Sequence, residues 1–366
     1  MTKWVTKKLG EICEKITDGS HDSPKPVDDG YYMPSVKDMR HDNFDFSDCK
    51  QISKNDFERL KGTGCKPEIG DVLIAKDGSI LKYCFVVEQD LPIVILSSIA
   101  ILRPDKSIID GKFLSYYFQK EDVVTDVVEN YKSGTGVPRI VLRNFEQIEI
   151  PYPESLAEQR RIAGILSSAD GPIAASEALI AKYRNIKRGL LATLLQPKEG
   201  WKKVKLGECL TIGNGQDYKH LHKGDIPVYG TGGVMTYVDD YLYEGETVCI
   251  GRKGTINKPI FHCGTIWTVD TLFYTHSFVN VLPLFMYYAF CCIDWLRYNE
   301  ATGVPSLSKE TIYKIEINIP EDLAEQRRIA EILSSVDAKI AAEEKVVEKY
   351  KGVKKGLMEE LLKSEK

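Results

Sequence analysis

The sequence predicts an α/β (α+β) two-repeat protein, in which two mixed, β-rich globular heads are joined by two long helices that form an antiparallel coiled coil. Three observations lead there. The octet Leu-Ala-Glu-Gln-Arg-Arg-Ile-Ala at 156–163 returns at 323–330, and 24 of the 40 positions from 156 onward are identical 167 residues later, which is the mark of an internal repeat. Each copy opens a stretch with apolar residues at steps of three and four, the spacing of a narrow helical stripe. Ahead of each copy lie strand patterns that run into glycine turns, Gly70-Asp-Val-Leu-Ile-Ala-Lys-Asp-Gly-Ser79 and Gly245-Glu-Thr-Val-Cys-Ile-Gly-Arg-Lys-Gly-Thr255, as expected of β-rich heads.

At 366 residues the chain is too long for one small domain and has room for two or three. Forty-nine Lys and Arg against 53 Asp and Glu leave a net charge of -4, which argues against wrapping nucleic acid by bulk positive charge but leaves local basic surfaces open. Nine cysteines, an odd number with no Cys-x-x-Cys pair, give neither a disulfide framework nor a zinc ribbon and suit reduced thiols in a cytoplasm. The first residues lack the apolar core of a signal peptide. The most apolar stretch, 279–296, contains Asn280, Pro283 and Asp294 and reads as a buried amphipathic helix, not a membrane span.

In chain order, the first head is expected over 1–154, a first helical region over 155–196, a second head over 197–321 and a second helical region over 322–366. The heads begin alike, since Leu9-Gly10-Glu11 matches Leu206-Gly207-Glu208 at an offset of 197, so the second head is about 30 residues shorter. Tyr116-Tyr117 and Tyr287-Tyr288 lie in apolar stretches of helical period and are expected to pack into each head. Thr135-Gly-Val-Pro138 and Thr302-Gly-Val-Pro305 close the heads as matching loops. Ser155 with Glu158, and Asp322 with Glu325, have the spacing of capping boxes at the two helix starts. Downstream, Leu179, Tyr183, Ile186, Leu190 and Leu194, and again Val346, Tyr350, Val353, Leu357 and Leu361, form the expected seam. Gly171-Pro172 is expected to break or kink the first copy. The long part, 173–195, spans roughly 35 Å at 1.5 Å per residue, close to the roughly 34 Å turn of B-DNA that separates half-sites read by two-fold proteins.

Catalytic motifs are missing. There is no phosphate loop, no His-Glu-x-x-His and no Gly-x-Ser-x-Gly, and Gly230-Thr-Gly-Gly233 reads as a flexible loop before a nucleotide cradle. His220 and His222 alone among the six histidines share a ligand-like spacing, with no third ligand in view. Cys291-Cys292 reads as core. A cryptic nuclease would have to use Glu68 and Asp71 with Lys76, which lack the usual acidic-x-Lys spacing. A two-headed protein adaptor on a coiled-coil strut would account for the repeat without any chemistry.

Two variable heads, each followed by Thr-Gly-Val-Pro and then Leu-Ala-Glu-Gln-Arg-Arg-Ile-Ala with a long helix, resemble the specificity subunit of a type I restriction-modification system, over essentially the whole chain. The resemblance implies that the heads are target recognition domains, each reading one half of a bipartite double-stranded DNA target. It implies that the helices set the gap and dock two methyltransferase subunits, with restriction and translocation in a further subunit. The chain would itself be non-catalytic. S-adenosylmethionine is expected on the methyltransferase and no cofactor on this chain, which has neither an Asn-Pro-Pro-Tyr type motif nor a glycine-rich cofactor loop. For DNA contact the candidates are Lys76, Asp77, Ser79 and Lys82 in the first head and Arg252, Lys253, Thr255 and Lys258 in the second, where Arg or Lys can reach guanine edges or phosphates; an ordinary solvated turn accounts for them equally well. Thr135, Arg139 and Arg143, with Thr302, Ser306 and Lys309, flank the Thr-Gly-Val-Pro loops and serve either the turn itself or DNA. Gln159, Arg160 and Arg161, with Gln326, Arg327 and Arg328, are the candidates for the methyltransferase face, since their identity in both copies suits two identical partners.

Overall fold

The computed structural model describes residues 3–134 and 136–363; Thr135 lies outside them. The chain divides into two compact units, one made of Met1–Ala175 with Val346–Lys366 and the other of Ser176–Lys345.

In the first unit the strand Trp4–Lys8 pairs antiparallel with Glu149–Pro153, which ties the two ends of the head together. The repeated Leu-Gly-Glu forms the short helix Leu9–Ile12, where the Lys8 amide donates to Glu11 Oε2 at 2.9 Å. A four-stranded antiparallel sheet follows, in the order Cys13–Asp18, Ile99–Pro104, Val72–Ala75, Cys84–Val86. Against it lies the helix Gly111–Gln119, started by Asp110, whose side chain accepts from the Phe113 amide. Tyr116 and Tyr117 of this helix are buried, as the sequence predicts, and Phe113 and Phe118 are buried with them.

The second unit repeats the frame. Trp201–Lys205 pairs with Glu316–Pro320, and the Lys205 amide donates to Glu208 Oε2 at 3.2 Å. Trp4 meets Phe113 at 6.2 Å in one head, and Trp201 meets Phe285 at 6.4 Å in the other. Inside that frame the sheet is larger although the head is shorter. Six strands run in the order Thr211–Asn214, Leu272–His276, Tyr243–Gly251, Ile260–Thr268, Lys223–Gly230, Gly233–Val238, with one parallel pair. The first head spends its extra residues on a separate small layer, Tyr31–Tyr32 with Gln51–Ile52 and the helix Lys54–Lys61, whose Phe57 and Leu60 share a core cluster with Met33 and Ile52. The helix Pro283–Cys291 buries Phe285 and Tyr288. Cys291 and Cys292, expected in the core, are exposed, because the helix ends there and Trp295, 1% exposed, carries the apolar contact onward.

The long helices are Leu156–Leu194 and Leu323–Leu361, 39 residues each. Pro172 does not break the first: the helix runs through it, losing one amide donor while Ile173, Ser176 and Ile180 remain buried on the following turns. In the first unit Leu166 and Ile162 share a core cluster with Met358 and Leu362, and Asp170 meets Lys354 at 2.7 Å. In the second, Lys187 meets Asp337 at 2.6 Å and Arg184 meets Glu344 at 2.8 Å. Within each unit residue numbers fall along one helix as they rise along the other, so the pairing is antiparallel. Leu190, Leu191, Leu194 and Leu195 lie against the second head's core.

The seam is rotated from its expected position. Leu179, Ile186 and Val353 are 37%, 40% and 45% exposed. The covered positions are Ile173, Ser176, Ile180, Tyr183 and Lys187, a 3-4-3-4 spacing with two polar members. The capping boxes also differ from expectation. Among the described residues neither glutamate returns to its cap amide: Glu158 holds Arg161 through two 2.7 Å bonds, and Glu325 accepts from Trp201 Nε1 at 3.3 Å. Asp322 does cap, accepting the Ala324 amide at 2.8 Å.

Candidate functional site

Sequence reasoning names the glycine turns and the Gly-Val-Pro loops separately; the structure joins them. In the first head the strand Val72–Ala75 runs into Lys76-Asp77-Gly78, with Gly78 at φ +70°, a conformation glycine adopts without strain. The Gly78 amide donates to Pro138 O at 2.8 Å, the Ile140 amide donates to Lys76 O at 3.0 Å, and Asp77 bridges Arg139. In the second head the strand Tyr243–Gly251 runs into Arg252-Lys253-Gly254, with Gly254 at φ +96°. Its amide donates to Pro305 O at 2.8 Å, the Leu307 amide donates to Arg252 O at 2.9 Å, and Lys253 bridges Ser306. The same three backbone ties recur, so each head presents one composite tip, a turn stitched to a loop.

The side chains on the two tips have different fates. Lys76 is 6% exposed and turned inward to Asp18 and Asp77, both at 3.3 Å. It therefore does not reach solvent in this structure, a correction to its reading as a DNA contact. Asp77 is half-buried, while Ser79, Lys82, Arg139 and Arg143 are exposed; Lys82 lies 5.1 Å from the Tyr83 ring centroid. In the second head Arg252, Lys253 and Lys258 are exposed and Thr255 and Ser306 half-buried. Arg252 lies over the Phe273 ring at 5.8 Å and donates to Asp270 O at 3.3 Å. Lys309 is drawn inward, donating to Ile212 O at 2.6 Å, and burial lowers its pKa. Thr302 is exposed, and the part of the site assigned to Thr135 lies outside the described residues.

Shallow clefts adjoin both tips. One is lined by Asp77, Gly134, Gly136, Val137 and Arg139. The other includes Tyr218, Lys219, Met235, Asp270 and Thr271 beside the turn of the hairpin that joins Lys223–Gly230 to Gly233–Val238. Sequence reasoning missed that hairpin as a neighbour of the tip, because its strands form a pair whose place in the sheet is set by distant partners. Among the described residues no cluster of His, Cys, Asp and Glu could hold a metal ion, and no helix is long and apolar enough to cross a membrane.

The helix candidates separate into buried and exposed sets. Gln159 is fully buried: its amide donates to Pro153 O at 2.8 Å and Ile108 O at 3.0 Å, and its Oε1 accepts the Asp110 amide at 2.7 Å. Gln326 repeats this with Pro320 O at 2.9 Å, Asn280 O at 3.1 Å and the Leu282 amide at 2.9 Å. Both glutamines lock a head onto its helix, a correction to their reading as partner-facing groups. The arginines remain outside. Arg160 lies 3.7 Å from Asp110 and Arg161 pairs with Glu158, which holds that carboxyl below its ordinary range. Arg327 and Arg328 are exposed.

Residues 1–182 and 198–349 match the family model of the type I restriction modification DNA specificity domain. The chain belongs to the type I restriction-modification DNA specificity family. It is similar to the MjaVIII specificity subunit of Methanocaldococcus jannaschii, 24% identical over 340 residues, covering 80% of this chain and 78% of that protein. It is also similar to the EcoprrI specificity subunit of Escherichia coli, 22% identical over 308 residues, covering 76% and 73%. The fold of this specificity-family chain matches the crystal structure of the type I restriction-modification S subunit from M. genitalium, with a TM-score of 0.72 at 17% identity, covering 100% of this chain and 97% of that one.

Proposed function

We propose that the chain is the non-catalytic, sequence-specific DNA-binding subunit of a type I restriction-modification complex. Each head reads one half of a bipartite duplex target, and the helices set the gap and dock two methyltransferase subunits, with restriction and translocase subunits joining in the full complex. The observation that carries this reading is the pair of composite tips: one backbone frame used twice, bearing Asp77 and Arg139 in one head and Lys253 and Ser306 in the other. A shared frame with different polar groups suits two readers of different base sequences. Two identical partners are supported by exposed groups at equivalent helix positions, Ile186 with Val353 and Arg160 and Arg161 with Arg327 and Arg328.

On this reading residues 1–154 and 197–321 are the target recognition domains, and 155–196 and 322–366 the spacer regions. S-adenosylmethionine binds the methyltransferase, which alone modifies the base. Nine free cysteines suit a cytoplasmic location. The test is co-expression with a methyltransferase that co-purifies with the chain, followed by mapping of methylated adenines. Two short fixed sequences separated by a fixed unspecified gap are expected, and a single uninterrupted motif would overturn the two-reader reading.

A further inference from the structure

In each head the Gly-Val-Pro loop holds one valine out in solvent, Val137 at 68% exposure and Val304 at 55%. The loops are not loose there. A following proline restricts each valine to extended backbone, and Pro138 O and Pro305 O are each tied to a turn glycine at 2.8 Å. Ser133 and Arg139 exchange backbone bonds at 2.8 and 3.0 Å around the first loop, and the Ser306 amide donates to Asn299 Oδ1 at 2.9 Å beside the second.

A single exposed apolar side chain on a protein surface is ordinary. The same one, at the same place in two heads whose neighbouring tips differ, is not accounted for by scatter. Groups that differ between the heads suit what differs between two half-sites, and groups that are identical suit what the half-sites share. The setting favours a polyanion. From Lys132 to Arg143 the first loop carries three cations and no acidic residue, and Arg252 and Lys253 are exposed next to the second. On a duplex, cations meet phosphates at the rim of a groove while apolar side chains meet sugars and base edges between them.

We propose that Val137 and Val304 are a matched pair of apolar contacts to the DNA duplex, one per half-site, that seat each head against the sugar and base-edge surface without reading its sequence. The proposal rests on the DNA-reading function above and adds a division of labour within each tip: the valine places the head, and the differing polar groups discriminate.

The test uses the full chain carrying the photo-crosslinker p-benzoylphenylalanine at position 137, 304 or, as a reference on the polar turn, 253, irradiated with a pool of random-sequence duplexes. Crosslinks to DNA from all three positions are expected. Crosslinks from 253 without any from 137 and 304 would overturn the proposal and leave the DNA-reading function standing, as would crosslinks from the two valine positions to a co-purifying methyltransferase alone. A chain that retains no duplex and crosslinks from none of the three would overturn both. In a second measurement, Val137→Ser or Val304→Ser should weaken duplex binding about tenfold through lost apolar burial, with the salt slope and the preferred bases unchanged, while Val137→Met retains binding. A change in preferred bases with Val137→Ser would assign the valine to sequence reading and overturn its placing role.

Discussion

At the root of the first head the Tyr116 hydroxyl donates to Asp170 at 2.6 Å, while Lys354 meets the same carboxylate at 2.7 Å and lies 4.9 Å from the tyrosine ring centroid. At the root of the second, the Tyr288 hydroxyl donates to Asp337 at 2.8 Å, and Lys187 meets that carboxylate at 2.6 Å and lies 5.4 Å from the ring centroid. Each triad takes one residue from the head and one from each long helix, and burial raises both tyrosine pKa values. The tips keep only the backbone: Lys76 is buried where Arg252 is exposed, and Asp77 stands where the other head has Lys253. Roots and tips thus obey different constraints. A root must fit a helix that is nearly the same in both copies, so its side chains are fixed by packing and by buried polar groups that need partners. A tip's backbone is held by its own stitching, so its exposed side chains can change without disturbing the fold, while the buried Lys76 cannot.

This contrast can be broken most decisively by exchange. Replacing residues 201–322 with the corresponding head of a relative should change one half of the methylated sequence completely and leave the other as it was; a change in both halves would mean that the heads are not separable. Next in size is the glutamine lock. Gln159→Ala and Gln326→Ala each leave one buried amide and two carbonyls without partners, and each should lower stability by about 3 kcal/mol. Thermal melting of both variants should give losses within about 1 kcal/mol of each other if the roots are equivalent, whereas a loss confined to one would show that the copies have diverged there. Lys187→Met and Lys354→Met should cost less, about 1 to 2 kcal/mol, because the ammonium groups are largely but not wholly buried. Double-mutant cycles with Asp337→Asn and Asp170→Asn should recover coupling of similar size at both roots. The exposed tip residues should respond in binding alone: Arg252→Ala with Lys253→Ala should leave the melting curve in place and reduce the salt slope of DNA binding by up to about two. Lys76→Ala should instead destabilise the first head by leaving Asp18 and Asp77 facing each other, with no change in that slope.

The internal repeat made most of this frame legible from sequence, since matching segments at a fixed offset place the helices, the closing loops and the Leu-Gly-Glu turns without any knowledge of contacts. The misplaced seam and the misread polar residues share one physical source. Ser176 and Lys187 sit inside the helical seam, and a stripe drawn through apolar residues alone runs instead through Leu179 and Ile186, which are exposed. Lys187 belongs there because Asp337, far away in sequence, neutralises it. Lys76 looks solvated in a glycine turn until Asp18 is placed beside it, and the two glutamines look available until the backbone groups they satisfy are seen. Polar burial depends on partners that local pattern does not contain. The glycines at 78 and 254 were readable for the opposite reason, because a positive φ is a local demand.

Met358 and Leu362, near the end of the second long helix, belong to the core cluster of the first head. That head therefore cannot be completed when its own contiguous segment has been made. At about 5 to 20 residues per second, the ribosome needs roughly 10 to 40 s to travel from residue 175 to residue 362, and throughout that interval the first head lacks its closing strip. The growing chain holds an unfinished apolar surface for about half of its synthesis, and a message cut short between residues 345 and 358 would leave the earlier-made head, not the later one, as the damaged half.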